Sequence, residues 1–151
     1  MMKTLLAIDP GLSGGLAWTN SDGLWAVPMP DGDAAIAKQL DDILYMNSVT
    51  AWLEEVPIFM PSGVPGSAIT KLHSNARFIE GYLFSRCVVR RIKPHAWQKP
   101  LMLGTRSGCK SSSQWKTKLR DEAARRFPTV DVTLKTADAL LILDFARNTN
   151  G

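Results

Sequence analysis

The order in which apolar periodicity changes along the chain limits its fold more than any single residue does. Three strand-like runs come first. Lys3–Ile8 reads as a strand buried on both faces, and Gly14–Thr19 and Leu24–Pro28 read as two more. Between the latter two, Asn20-Ser21-Asp22-Gly23 has hairpin turn chemistry. Strands and helices then alternate. Ala34–Tyr45 carries apolar residues at 36, 40, 43 and 44 and suits a helix, with N-cap candidates among Asp31 to Asp33. Val49–Val56 is a fourth strand, Ile58–Gly66 a loop rich in Pro and Gly, and Thr70–Phe84 a helix with Leu72, Ala76, Ile79 and Leu83 on one stripe. Arg86–Ile92 is a fifth strand. Pro94 opens a short helix containing Trp97, and Gly104–Ser113 reads as a flexible basic loop. Ser113–Phe127 reads as a basic helix and Thr136–Arg147 as a very apolar closing one. A meander that turns into alternation predicts an α/β fold: a mixed five-stranded sheet with helices on both faces.

At 151 residues, a single domain over 1–151 is expected, large enough to bury a core without disulfides. Cys87 and Cys109 have no Cys-x-x-Cys spacing and no nearby His pair. They read as reduced thiols of a cytosolic protein, and a zinc site is not expected. No apolar run approaches the ~18 residues of a membrane span. The start MMKTLLAIDPG is too short in its apolar part for an export signal. The expectation is a cytoplasmic protein with no membrane partner.

Charge is unevenly placed. Residues 1–70 hold two basic and eight acidic side chains, residues 71–126 fourteen basic and three acidic, and residues 127–151 two basic and three acidic. A middle segment at +11 within a chain of +4 would attract a polyanion, nucleic acid before others. The ordinary alternative is a set of solvated helix faces.

The informative carboxylates are those placed where the pattern wants an apolar residue. Asp9 ends the run Leu5-Leu6-Ala7-Ile8, just before Pro10-Gly11. Glu54 and Glu55 end Ala51-Trp52-Leu53, and strand alternation lets only one of them point where Asp9 points. Asp138 lies within the apolar Ala137–Leu143 stretch. Burying a lone carboxylate is costly, and Lys135 and Arg147 are the only basic candidates near these positions. Hard cations such as Mg²⁺ are the other way to balance them. Two such ions would support phosphoryl transfer on nucleic acid, one activating water and the other stabilising the leaving oxygen. Each carboxylate also has a plain reading: a turn residue at Asp9, surface charge at Glu54 or Glu55, a helix-dipole partner at Asp138.

These residues resemble a known family. LLAIDPGLSGGLAW is similar to the opening motif of RuvC-like Holliday junction resolvases, LEEVP to their second motif and TADALLILDFA to their closing helix. PSGV, IKPHAWQKPLML and the segment ending AARRFP resemble phage-encoded members, so the likeness spans nearly the whole chain. It implies a ribonuclease-H-like fold and an Mg²⁺-dependent endonuclease, with Mn²⁺ as a substitute, that cuts branched DNA as a homodimer. It points to Asp9, Glu54 and Asp138 as metal ligands. It also implies a wedge residue after the second motif, Phe59 or Met60, stacking into the opened junction, with core packing as the alternative for Phe59.

One departure matters. The family usually carries a fourth carboxylate three or four residues before the closing Asp, where this chain has Lys135 and Leu134. Asp144 lies about 120° around the helix from Asp138, and Asp131 precedes the helix and could swing in. Lys135 could instead contact the scissile phosphate or orient water. Lys93, Lys99, Arg106, Lys110, Lys116 and Lys118 are candidate phosphate contacts, setting affinity rather than sequence choice. Trp97 and Trp115 are candidates for base stacking, with core packing as the alternative. His73 and His95 read as polar surface or capping residues. Two other functions compete. One is a non-catalytic branched-DNA-binding module, suggested by the missing carboxylate. The other is a sugar-kinase or actin-like ATPase, for which the chain is too short; no nucleotide cofactor is expected.

Overall fold

The structure is a computed structural model that describes residues 1–58 and 63–149. Among these residues five strands form one sheet: β1 (Met2–Asp9), β2 (Gly15–Asn20), β3 (Gly23–Pro28), β4 (Asn47–Glu54) and β5 (Val88–Ile92). Their order across the sheet is β3-β2-β1-β4-β5. The first three pair antiparallel as a meander, and β1, β4 and β5 run parallel. Five α-helices complete the chain: α1 (Asp33–Leu44), α2 (Gly66–Phe84), α3 (Pro94–Gln98), α4 (Ser112–Arg126) and α5 (Ala137–Thr149). The mixed sheet flanked by helices expected from the sequence is therefore present.

Strand alternation sorts the side chains into two cores. Leu6 and Ile8 of β1 and Val49, Ala51 and Leu53 of β4 pack with Ile36, Leu40, Ile79 and Leu83 of α1 and α2. Ala7 and Trp52, of the opposite parity, pack with α5 and with Trp97, Trp115 and Leu119. α5 is buried almost all round, from Ala137 through Leu143, because the sheet covers one side and α4 the other. This explains why the closing helix shows no polar face in sequence.

Element boundaries differ from expectation for local reasons. α2 starts at Gly66, four residues before the expected Thr70, because Ala68 and Ile69 donate to the Pro65 carbonyl. Those first residues carry no apolar stripe, so periodicity missed them. β5 starts at Val88, since the Arg86 and Cys87 amides still bond to Leu83 and belong to the helix end. The N-cap of α1 is Gly32, not one of the flanking aspartates, although Asp33 sits in the first turn where the dipole favours it. The 104–113 segment is more structured than the flexible loop expected. Residues 106–108 form a 3-10 turn whose Gly108 amide donates to Thr105 Oγ1 at 3.2 Å. Ser111 caps α4 by accepting from the Gln114 amide at 3.1 Å, and Gln114 Oε1 accepts from the Lys110 amide at 2.6 Å. This is a near relative of the capping box.

α4 is fastened to α5 through charge. Glu122 accepts from both Arg125 and Arg126, and Arg126 Nη1 also donates to Asp144 at 2.7 Å. The Arg125 hydrogen bond, with Arg126 behind it, holds the Glu122 carboxyl down to about 2. A depressed carboxylate stabilises the fold above its unfolded value, here near 4.5, and that stabilisation is lost as pH falls towards 2. Glu122→Gln should cost on the order of 1 kcal/mol at pH 7, a Tm drop of about 2–4 °C. The gap between the two proteins should narrow from pH 4.5 downwards in thermal melts; a constant gap would show that charge is not its source.

Candidate active site

Asp9 is the last residue of β1 and Glu54 the last of β4. The parallel register pairs Ile8 with Leu53, so the two carboxylates end neighbouring strands side by side. Asp9 shares parity with Ala7, and Glu54 with Trp52, and both of those residues face α5. Glu55, of opposite parity, donates its amide to the Ile92 carbonyl at 2.8 Å and extends the β5 ladder, and it too lines the cleft that holds Asp9 and Glu54. Asp138 stands in the first turn of α5, on the same side of the sheet. All three carboxylates line one cleft of about 580 Å³.

Their environment is hostile to negative charge. Burial drives the Asp9 carboxyl well above the ordinary carboxylate range, and repulsion from Asp138 and then Glu54 adds to it, with Lys116 opposing. Burial, with Asp138 behind it, pushes Glu54 up to about 7, against the Trp97 hydrogen bond. Burial raises Asp138 to about 6, against the pull of Lys116 and Arg106. Glu54 Oε2 accepts from Trp97 Nε1 at 2.6 Å. No hydrogen bond contributes to the shift at Asp9 or at Asp138. Buried oxygen donors without a bonded cation are the donor set a hard divalent ion takes, so the residues fit the metal implied by the sequence. Among the described residues no three His, Cys, Asp or Glu side chains already stand at ligand spacing. The three carboxylates lie close enough to repel one another but are not drawn into a shell.

The backbone around Asp9 is held by contacts that periodicity does not reveal. The Gly11 amide donates to Asn75 Oδ1 at 2.7 Å, which pins the loop after β1 to α2. Asn75 is buried within the apolar stripe of α2. It is thus a polar residue in an apolar place, the same signal that singled out Asp9. At Gly14 a Cβ would stand 2.0 Å from the Asp9 carbonyl oxygen, so only glycine lets the chain fold back so closely.

The remaining sequence candidates divide. Arg106 and Lys116 line the cleft, and so does Lys71, which sequence reasoning did not single out although it opens the basic segment. Lys93, Lys99, Lys110 and Lys118 are exposed and do not line the cleft. Trp97 and Trp115 are 1% and 4% exposed and pack in the α5-side core, so neither is placed to stack on a base. Lys135 and Asp131 are exposed and lie off the cleft, whereas Leu134 lines it. The Thr133–Thr136 turn fixes this outcome: the Thr133 amide donates to Thr136 Oγ1 at 3.0 Å and the Ala137 amide to the Thr133 carbonyl at 3.0 Å. Asp144 is tied to Arg126. Phe59 and Met60 lie outside the described residues.

No family model matches the chain, and no curated protein matches it. Solved structures do. The Thermus thermophilus RuvC structure is similar with a TM-score of 0.53 at 14% identity, over 97% of this chain and 95% of that one. T. thermophilus RuvC in complex with Holliday junction substrate is similar with a TM-score of 0.54 at 12% identity, over 97% and 96%. At such identity the likeness shows the fold alone: this chain shares the fold of those RuvC structures over 97% of its length.

A carboxyl raised by folding makes the fold less stable as pH climbs from its unfolded to its folded value, because the folded state binds the extra proton. For Asp138 that window runs from 3.8 to about 6, and above it the penalty is complete. Asp138→Asn should therefore raise Tm at pH 7.5 in EDTA, by on the order of 1 kcal/mol or about 2–4 °C, with the gain shrinking below pH 6. A lower Tm for the variant would show that the carboxylate is held by favourable contacts.

Proposed function

We propose that the chain is a divalent-metal-dependent endonuclease acting on four-way or other branched DNA. The observation that carries this reading is the meeting of Asp9, Glu54 and Asp138 in one cleft that Lys71, Arg106 and Lys116 also line. The RuvC-like fold supports it, and the neighbour bound to Holliday junction substrate indicates the class of DNA. The sequence segments PSGV and IKPHAWQKPLML favour the phage-encoded branch of that family.

In this reading Asp9, Glu54 and Asp138 hold Mg²⁺, or Mn²⁺ in its place; two such ions are what the resemblance implies. When bound, the metal lowers the pKa of a water nucleophile and neutralises charge growing on the phosphate. The chain's own residues do the rest. Lys116 and Arg106 already act on the carboxylates through space. They are placed to hold a phosphodiester against the cleft, and Lys71 does so from α2. Leu12 and Leu134 line the cleft beside these cations, each more than half exposed to solvent. Lys93, Lys99, Lys110 and Lys118 supply exposed charge for more distant phosphates, which makes affinity salt-dependent. Phe59 or Met60 serves as the junction wedge. A homodimer presents two clefts, as paired cuts in opposite strands require.

The second reading is a non-catalytic junction-binding module. Leu134, where the family usually has a carboxylate or its neighbour, lines the cleft and removes a ligand.

A cleavage assay on a labelled four-way junction and a matched duplex separates them. Wild type should give paired nicks in the junction with Mg²⁺ or Mn²⁺ and none in EDTA. Asp9→Asn should bind the junction as tightly and lose at least 10²-fold in cutting, roughly what loss of a principal electrostatic contributor costs. Tight binding without cutting in either metal favours the module, and equal cutting by Asp9→Asn overturns the nuclease site. Lys116→Ala should slow cutting of a saturated complex more than Lys118→Ala, which should act chiefly through the salt slope of binding. Equal behaviour of the two would remove Lys116 from the cleft's chemistry.

A further inference from the structure

Glu54 has two carboxylate oxygens, and the fold occupies one of them. Trp97 Nε1 donates to Oε2 at 2.6 Å, a short contact, and a hydrogen bond to an ionised acceptor is stronger than one between neutral groups. Trp97 reaches this position on α3, a five-residue helix opened by Pro94, and its ring is 1% exposed in the core that α5 caps. Packing alone does not demand the bond. Trp52 sits in the same core with its Nε1 buried and without a hydrogen-bond partner among the described residues. One tryptophan is thus kept as bulk, whereas the other is aimed at a carboxylate at the cleft.

The choice of donor is informative. An Arg or Lys at this point would neutralise Glu54 and compete with a cation for it. An indole N–H is neutral, donates only once and cannot accept, and sits on a side chain with two rotatable bonds. It can fix the orientation of the carboxylate while leaving its charge available. Orientation is needed because Asp138 repels Glu54, and an unrestrained glutamate would turn away from its neighbours.

We propose that Trp97 is a positioning residue for Glu54: it holds Oε2 so that Glu54 offers the other oxygen alone to a divalent cation in the cleft. This rests on the metal-dependent reading above. Partners behind metal ligands typically change metal affinity by about 10–100-fold when removed.

The test is calorimetric titration of Mn²⁺ into DNA-free wild type, Trp97→Phe, Glu54→Ala and the double variant, with melts in EDTA alongside. Trp97→Phe should weaken Mn²⁺ binding about 10–100-fold. The double variant should bind no more weakly than Glu54→Ala, because Trp97 acts only through Glu54. Unchanged affinity in Trp97→Phe, or full additivity in the double variant, overturns the proposal. Wild type that takes up no Mn²⁺ overturns the metal-dependent reading first, and this inference with it. Should Trp97→Phe fail to fold, the indole N–H resonances of wild type and Glu54→Ala decide. The Trp97 resonance should move and exchange faster with solvent in Glu54→Ala; an unmoved resonance overturns the tether.

Discussion

Mutual repulsion among three buried carboxylates is the constraint around which the fold is arranged. Each is disfavoured as an anion by burial, and Asp138 makes Asp9 and Glu54 worse. Such a cluster persists only when a rigid frame forbids escape. The frame here is threefold: the parallel β1–β4 register sets two of the groups side by side, the sheet and α4 clamp α5 between them, and Asn75 ties down the loop behind Asp9. The frame is held mostly by apolar burial, which is non-directional and leaves the charged groups little room to relax.

Much of this was legible in the chain itself. The change from meander to alternation gave the sheet and its helices because strand and helix periods differ and each hides one face. Asp9 and Asp138 were visible as charges inside apolar runs. The choice between Glu54 and Glu55 was a parity question: the register of β4 against β1 puts Glu54 on the side of Asp9, although both glutamates line the cleft. What stayed hidden depends on contacts across long sequence distances. Asn75 and Gly11 are 64 positions apart. The burial of Trp97, and its partner 43 positions earlier, follows from where a five-residue helix lands on α5. Lys135 was a candidate to contact the scissile phosphate or orient water because sequence spacing counts residues and not direction. The threonine turn before α5 sends Leu134 to the cleft and Lys135 to solvent.

The basic middle segment shows how far a charge count can be read. Five of its arginines, Arg77, Arg91, Arg120, Arg125 and Arg126, are engaged with Glu80, Asp121, Glu122 or Asp144. Arg86 and Arg90 lie over the rings of Tyr82 and Trp52. For these the charge is taken up by pairing and stacking within the fold. None of the lysines of that segment appears in these pairs. Arginine's planar fork suits fixed partners, whereas lysine remains a hydrated point charge suited to a polyanion. Apart from Arg106, which lines the cleft, the arginines are the paired or stacked cations of this segment, a division that a net charge conceals.

The bridge from Arg126 to Asp144 gives α4 and α5 the character of a single lever. Lys116 rides on the first half of α4, and Asp138 on the first turn of α5. With the two helices joined at their far ends, one group attracted to a polyanion and one repelled by it share the same rigid arm. Lys116 and Asp138 therefore sit on helices that share one packed core and are bridged at their far ends, so neither helix can be repositioned alone.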